Sequence, residues 1–356
     1  MDAPVPPGID VPRVAAFFER ALPALGAPLR FELISGGRSN LTYRVECPGG
    51  ACVLRRPPLG HVLPTAHDMA REHRVLAALA DTDVPVARPL ALCADAAVNG
   101  APFYVMEYRA GVVANERMPE GYATDPAVRR GIGLALVDVL ARLHRLDYQA
   151  LGLADFGRPE GYLERQVRRW SLQWEKSKVA DVPEIEQLIR RLRGALPSSP
   201  APALVHGDYR LGNVALDAAD PTRIVAVFDW EMATLGDPLA DLGYTLVYWG
   251  EAADPPETRM PGGFQAVTAV PGFPTRAELV AEYARRSGRG VEHVDFYQVL
   301  ALYKLAVISE GIYARHLQGK TVGRGFENLA RSSVTLARQA LALADASASP
   351  ALRGAA

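Results

Sequence analysis

The chain is poor in cysteine, in net charge and in long apolar runs, and each shortage removes a class of protein. Its three cysteines, Cys47, Cys52 and Cys93, form no C-x-x-C pair and no Cys/His cluster at zinc spacing, so no zinc site is expected. Cys47 and Cys52 flank Pro48-Gly49-Gly50 and could face each other across a hairpin. Two reduced thiols are the plainer reading where no signal sequence is seen. Lys and Arg number 39 against 40 Asp and Glu, a formal net charge of −1. That balance argues against nucleic acid or an anionic membrane as the main partner, while leaving room for a local basic pocket. No apolar run is long enough to span a bilayer. The first residues, MDAPVPPGIDVPR, lack the basic start and apolar core of a secretory signal. A cytoplasmic protein is therefore the expectation.

What is present is 356 residues with 49% apolar and 22% charged content, enough for one large domain or two lobes with a real core. The first part reads as an amphipathic helix over 11–25, then strands at Phe31–Ile34, Leu41–Glu46 and Ala51–Arg56. A helix over Asp68–Ala80 and a strand over Pro102–Tyr108 follow. After Gly111 the pattern turns helical: Asp125–Leu146, Tyr162–Lys178, Pro183–Leu196, Leu239–Trp249, Arg276–Arg286, Val294–Leu317 and Phe326–Asp345. Two short strands interrupt it, near Ala203–Val205 and Ile224–Phe228. The expected fold class is α+β, with a small β-rich lobe over 1–108 and a larger, mostly helical lobe over 109–346. The tail, 347–356, is expected to be frayed. A ligand is expected in a cleft between lobes.

The most informative stretch is Leu204-Val205-His206-Gly207-Asp208-Tyr209-Arg210-Leu211-Gly212-Asn213. It is followed by Ile224-Val225-Ala226-Val227-Phe228-Asp229-Trp230-Glu231. It reads H-G-D-x-x-x-x-N, then an apolar run ending in a second Asp. Phosphoryl transfer needs an acid to orient a hydroxyl and further ligands to hold metal on the phosphates, because its catalysis is mostly positioning and charge neutralisation. Asp208 suits the first role. Asn213 and Asp229 suit the second, since Mg²⁺ takes oxygen ligands and usually only one or two carboxylates. An isolated D-x-x-x-x-N would more often only hold a turn; here the His-Gly before it and the apolar-Asp-Trp-Glu after it favour chemistry.

This pattern resembles the aminoglycoside phosphotransferase family, a branch of the protein-kinase-like fold that includes choline and homoserine kinases. The resemblance covers about residues 30–335. Gly207–Asn213, Gly236-Asp237-Pro238-Leu239-Ala240-Asp241-Leu242-Gly243 and Glu310-Gly311-Ile312-Tyr313-Ala314-Arg315 are similar to a narrower group. That group is the kinase-like domain fused to some acyl-CoA dehydrogenases, with its stand-alone bacterial relatives. The resemblance implies a two-lobe kinase-like fold, ATP and Mg²⁺, with Asp208 catalytic and Asn213 and Asp229 on the metal. Arg210 stands where protein kinases carry a Lys and would meet charge on the moving phosphoryl group. Arg55 departs from the usual strand Lys but can still bind phosphates, and Glu72 matches its helical partner. Ser35-Gly36-Gly37-Arg38-Ser39-Asn40 resembles a shortened nucleotide loop, through Gly37 and Ser39. Glu107 and Tyr108 fall at the connector where backbone groups would bond adenine. His206 is read as a brace, and Asp237 and Asp241 as loop braces.

The implied partner is a small molecule bearing a hydroxyl. The late region lacks a dense acidic cluster of the kind a polycationic aminoglycoside needs. Its basic residues suit an anionic hydroxyacyl or CoA-bearing compound better, with Lys304, Glu310, Tyr313, Arg315 and His316 as selecting side chains. Trp170 and Trp174 are read as core. Competing readings are a pseudokinase that binds nucleotide without turnover, an amino-alcohol or aminoglycoside kinase, and a metallohydrolase using His206 and Asp208. The other histidines form no matching ligand set for the last.

Overall fold

In the computed structural model, residues 6–35, 40–59, 67–255, 264–319 and 326–354 are described. The chain divides into two compact units. The first is Met1–Gly111 with Val225–Glu231; the second is Val112–Ile224 with Met232–Ala356.

The first unit is built on an antiparallel sheet of order β1-β2-β3-β5-β4: β1 Arg30–Ser35, β2 Leu41–Cys47, β3 Gly50–Arg56, β4 Pro89–Cys93 and β5 Phe103–Glu107. Helix α1, Val11–Ala21, is capped by Asp10, whose side chain accepts from Arg13 N. It ends before Pro23 because proline cannot continue a helix, so the expected extension to 25 does not form. Val14, Phe17 and Phe18 of α1 pack with Tyr43, Val45, Leu54, Phe103 and Val105 of the sheet. Phe17 meets Phe103 edge-on at 5.1 Å between ring centres. Helix α2, Met69–Leu79, is capped by Asp68. A short helix not foreseen from the sequence, α3 at Ala96–Asn99, ends on Gly100 with φ +73°. The segment 225–231 joins this unit through a parallel bridge of Val227 to Val86, with Val227 N donating to Pro85 O at 2.8 Å. All three cysteines are free thiols.

The second unit is helical: α4 Pro126–Arg145, α5 Tyr162–Ser177, α6 Pro183–Gly194, α7 Leu239–Val247, α8 Arg276–Ser287, α9 Val294–Leu317, α10 Ser332–Asp345 and α11 Pro350–Arg353. Helix α9 lies at its centre and packs against α5, α7 and α10. Strands β6 (Ala203–Val205), β7 (Val214–Leu216), β8 (Ile224–Val227) and β9 (Thr234–Gly236) are short. β6 pairs antiparallel with β9. Phe326–Arg331 forms a 3₁₀ turn, so the last long helix starts later than the sequence pattern suggests.

The expected frayed tail is also corrected. Ser349 caps Leu352 N, Pro350 occupies the first turn, and Leu352 is fully buried. Serine before proline is a helix start, and one leucine driven inward anchors it.

Candidate active site

In the second unit, the loop after β6 is held from several sides. The Asp241 carboxylate accepts from His206 N at 2.6 Å and from Gly207 N at 2.8 Å. His144 Nε2 lies 3.2 Å from the same carboxylate, and His144 Nδ1 lies 2.8 Å from the Tyr283 hydroxyl. Burial raises the Asp241 carboxyl, but the bonds from His144 and the loop amide outweigh it and hold the group below its ordinary value. Asp237 accepts from Leu239 N and from the Tyr297 hydroxyl. Both aspartates are thus loop braces, as the sequence implied. His206 is fully buried, and its Nδ1 accepts from Asp208 N at 3.2 Å. Tyr209 is fully buried and donates to Leu136 O at 2.8 Å. Gly207 has φ +85°, and a Cβ there would stand 2.7 Å from the Met232 carbonyl oxygen.

Between these anchors two side chains are presented together. Asp208 Oδ2 accepts from Asn213 Nδ2 at 2.8 Å, and its Oδ1 lies 3.6 Å from Arg210 Nε. Arg210 Nη1 donates to Asn115 Oδ1 at 2.7 Å, and its guanidinium sits 5.1 Å from the Tyr248 ring centre. Gly212 leaves room for this pair: a Cβ there would come within 2.3 Å of Arg210 Nη1 and 2.4 Å of Asn115 Oδ1. The Tyr244 hydroxyl donates to Tyr248 at 3.4 Å; burial, then the nearby Asp208, lifts it well above the phenol range. Asn115, Tyr244 and Tyr248 carry no recognisable motif and were not foreseen.

In the first unit, Arg55 is the centre. β3 pairs Arg55 with Thr42 of β2 and Tyr104 of β5, so the three line one face of the sheet. Arg55 Nε lies 2.9 Å from Glu72 Oε2, and Nη2 lies 2.6 Å from Asp229 Oδ1 and 3.6 Å from Glu231 Oε2. Glu72 also accepts from Tyr104 Oη at 2.9 Å and Asn40 Nδ2 at 2.9 Å. Burial pushes the Glu72 carboxyl up to about 7, against the pull of Arg55. Burial opposes the Arg55 charge, but Glu72 and the other carboxylates outweigh it and keep it protonated. Arg56 points the other way, into the Asn99 carbonyl at 3.1 Å. Asp229 adopts φ +66°, a left-handed conformation uncommon for a residue with a side chain. The contributions of Asn40, Tyr104 and Glu231 are visible only once the strands are paired.

Gly37 and Ser39 lie outside the described residues. Glu107 N donates to Arg88 O at 2.9 Å, so that amide is engaged by the protein itself and cannot serve adenine. The Glu107 carboxylate pairs with Arg109 at 2.6 Å, and the exposed Tyr108 ring lies 4.9 Å from the Arg44 guanidinium. On α9 the supposed selecting residues do different work. Buried Glu310 accepts from Val179 N and from Ser333 Oγ, tying α9 to its neighbours. His316 stacks on Phe326. Lys304 Nζ donates to Gly207 O at 2.9 Å.

Among the described residues no group of three or more His, Cys, Asp or Glu could hold a metal. The donors present nevertheless suit Mg²⁺. Asp229 offers one hard carboxylate, and Mg²⁺ takes few protein ligands beside substrate phosphates.

Solved structures share this architecture. A Ralstonia eutropha protein described as an aminoglycoside phosphotransferase superposes with a TM-score of 0.80 at 32% identity, covering 96% of this chain and 100% of that one. The aminoglycoside phosphotransferase APH(4)-Ia, in ternary complex with AMP-PNP and hygromycin B, gives 0.61 at 14% identity, covering 92% and 97%. The fold is therefore the kinase-like fold of these enzymes. The model of the phosphotransferase enzyme family matches residues 30–296, and the chain belongs to that family. Mouse acyl-CoA dehydrogenase family member 10 is 36% identical over 296 residues, and rat family member 11 is 35% identical over 317. They cover 82% and 87% of this chain, which spans 27% and 40% of their lengths.

Proposed function

We propose that the chain is an ATP- and Mg²⁺-dependent phosphotransferase that moves the γ-phosphoryl group to a hydroxyl of a small molecule. The observation that carries this reading is the Asp208 carboxylate, fixed by Asn213 at 2.8 Å on a loop whose amides are held by Asp241. A carboxylate so positioned accepts a hydrogen bond from the acceptor hydroxyl, aligns it, and takes its proton as the new P–O bond forms and the bond from the γ-phosphorus to the bridging oxygen breaks, releasing ADP. Arg210, held by Asn115, meets negative charge on the transferring group. Asn213 and Asp229 would hold Mg²⁺, which would supply positive charge against the phosphates. Arg55, braced by Glu72, binds the α- and β-phosphates. Gly37 and Ser39 belong to the nucleotide loop, and the connector at Glu107 and Tyr108 borders the adenine. A cytoplasmic location fits this substrate.

The acceptor is a hydroxyacyl or hydroxyacyl-CoA compound. The support for an anionic acyl substrate is that the relatives named above carry acyl-CoA dehydrogenase names. A second reading, an amino-sugar or amino-alcohol acceptor, is favoured by the Ralstonia protein's description. ADP release and phosphorylated product are to be measured against hydroxy acids, their CoA esters, aminoglycosides and choline-like alcohols. Turnover confined to aminoglycosides would overturn the acyl assignment, and nucleotide binding without turnover on any acceptor would favour a pseudokinase.

A further inference from the structure

The Gly207–Asp208 peptide is gripped at more points than a turn requires. Asp241 takes the Gly207 amide at 2.8 Å, and His206 Nδ1 takes the Asp208 amide at 3.2 Å. The Gly207 carbonyl receives Lys304 Nζ at 2.9 Å, from α9, 97 residues along the chain. The ammonium lies over two aromatic faces: Nζ is 4.5 Å from the Tyr244 ring centre and 5.8 Å from that of Trp170. Such faces favour a cation and restrict its swing. A carbonyl needs only one neutral donor for satisfaction, yet this one receives an ammonium one residue before Asp208.

We infer that Lys304 is a positioning residue of the transfer site, fixing the Gly207 carbonyl and thereby the direction of the Asp208 carboxylate. The inference rests on the phosphotransferase reading only for its kinetic consequence. Burial lowers the affinity of Lys304 for its proton, opposed by Asp208 and Asp241, while Arg169 adds to the lowering. Asp208, Asp241 and Arg169 are thus charged groups that act on it. Its ammonium is thus retained at a cost, and the contact it makes is to the catalytic loop.

Two variants test this on the full chain. Lys304→Met keeps an unbranched apolar stem and removes the donor and charge; Lys304→Arg keeps both. The first readout is amide hydrogen exchange without nucleotide. Faster exchange in Lys304→Met, confined to residues 206–210 and reversed in Lys304→Arg, is expected. Unchanged loop exchange, or a rise spread evenly over α4 and α9, overturns the inference. The second readout is steady-state transfer. Lys304→Met should lose roughly 10- to 100-fold in kcat, the scale of a small misplacement at a reacting centre, with KM for nucleotide within about twofold and Lys304→Arg restoring most of the loss. Wild-type kcat in Lys304→Met overturns it. An inactive wild type counts against the phosphotransferase reading, and the exchange measurement then decides the inference alone.

Discussion

Arg55 Nε stands 2.9 Å from Glu72 Oε2 while Nη2 of the same guanidinium reaches Asp229 Oδ1 at 2.6 Å. One planar fork therefore spans two carboxylates in different directions, which a single ammonium cannot reproduce. Although kinases usually carry lysine at this strand position, Arg55→Lys should weaken nucleotide binding here, by roughly tenfold or ~1.4 kcal/mol. Nucleotide titration followed by calorimetry checks it; tighter binding in the lysine variant would contradict the assigned role.

Asp208 and Asp229 should separate kinetically. Asp208→Ala is expected to abolish transfer, a loss of at least about 10³-fold, and to leave nucleotide affinity largely intact. Asp229→Ala should lower Mg²⁺-dependent nucleotide affinity as well. Parallel measurements of ADP release and of nucleotide binding with and without Mg²⁺ distinguish them. An Asp208→Ala enzyme as active as wild type would refute the mechanism.

Gly207→Ala should both unfold and inactivate. At φ +85° the new methyl group is strained, and it would sit 2.7 Å from the Met232 carbonyl oxygen. The expected destabilisation is about 2 kcal/mol or more, read as a shift in the urea midpoint.

Asn115 and Gly212 should act through Arg210. Asn115→Ala removes the acceptor at 2.7 Å, and Gly212→Ala fills the space the guanidinium occupies. Each should lower kcat, and neither should lower it further in an Arg210→Ala background, because coupled residues are non-additive. Additive losses would place Asn115 outside this arrangement.

His144 sets a pH window. Burial holds its folded value below the ordinary 6.5, against the pull of Asp241. The unfolded chain therefore takes up the proton first as pH falls. The contribution to stability is fully present above about 6.5 and is lost on the way down to the folded value, with a slope of up to ~1.4 kcal/mol per pH unit. Unfolding free energies at several pH values should fall less steeply in His144→Gln than in wild type; identical slopes would exclude the effect.

Much of this was legible beforehand, for identifiable reasons. Periodicity marks the long helices because each buries one side, and α9 runs over the predicted Val294–Leu317. The H-G-D-x-x-x-x-N motif is local, so Asp208, Arg210 and Asn213 could be read together. Arg55 and Glu72 came from spacing and resemblance. Strands of three residues, β7 and β9, are too short to show a period. Asn40, Tyr104 and Glu231 join Arg55 only through strand pairing or return of the chain, and Lys304 reaches its carbonyl from a helix buried on most sides. That the Glu107 amide is taken by Arg88 O could not be read from its connector position.

In the pentapeptide from His206 to Arg210, 206 and 209 are sunk in the interior, 207 is sterically closed to any side chain, and the side chains of 208 and 210 are only partly exposed. Substitution therefore has almost no latitude within it. The side chains beside it come from separate elements, Tyr248 after α7 and Asn115. Diversification of this scaffold is then a matter of changing the surroundings while the five-residue turn stays constant.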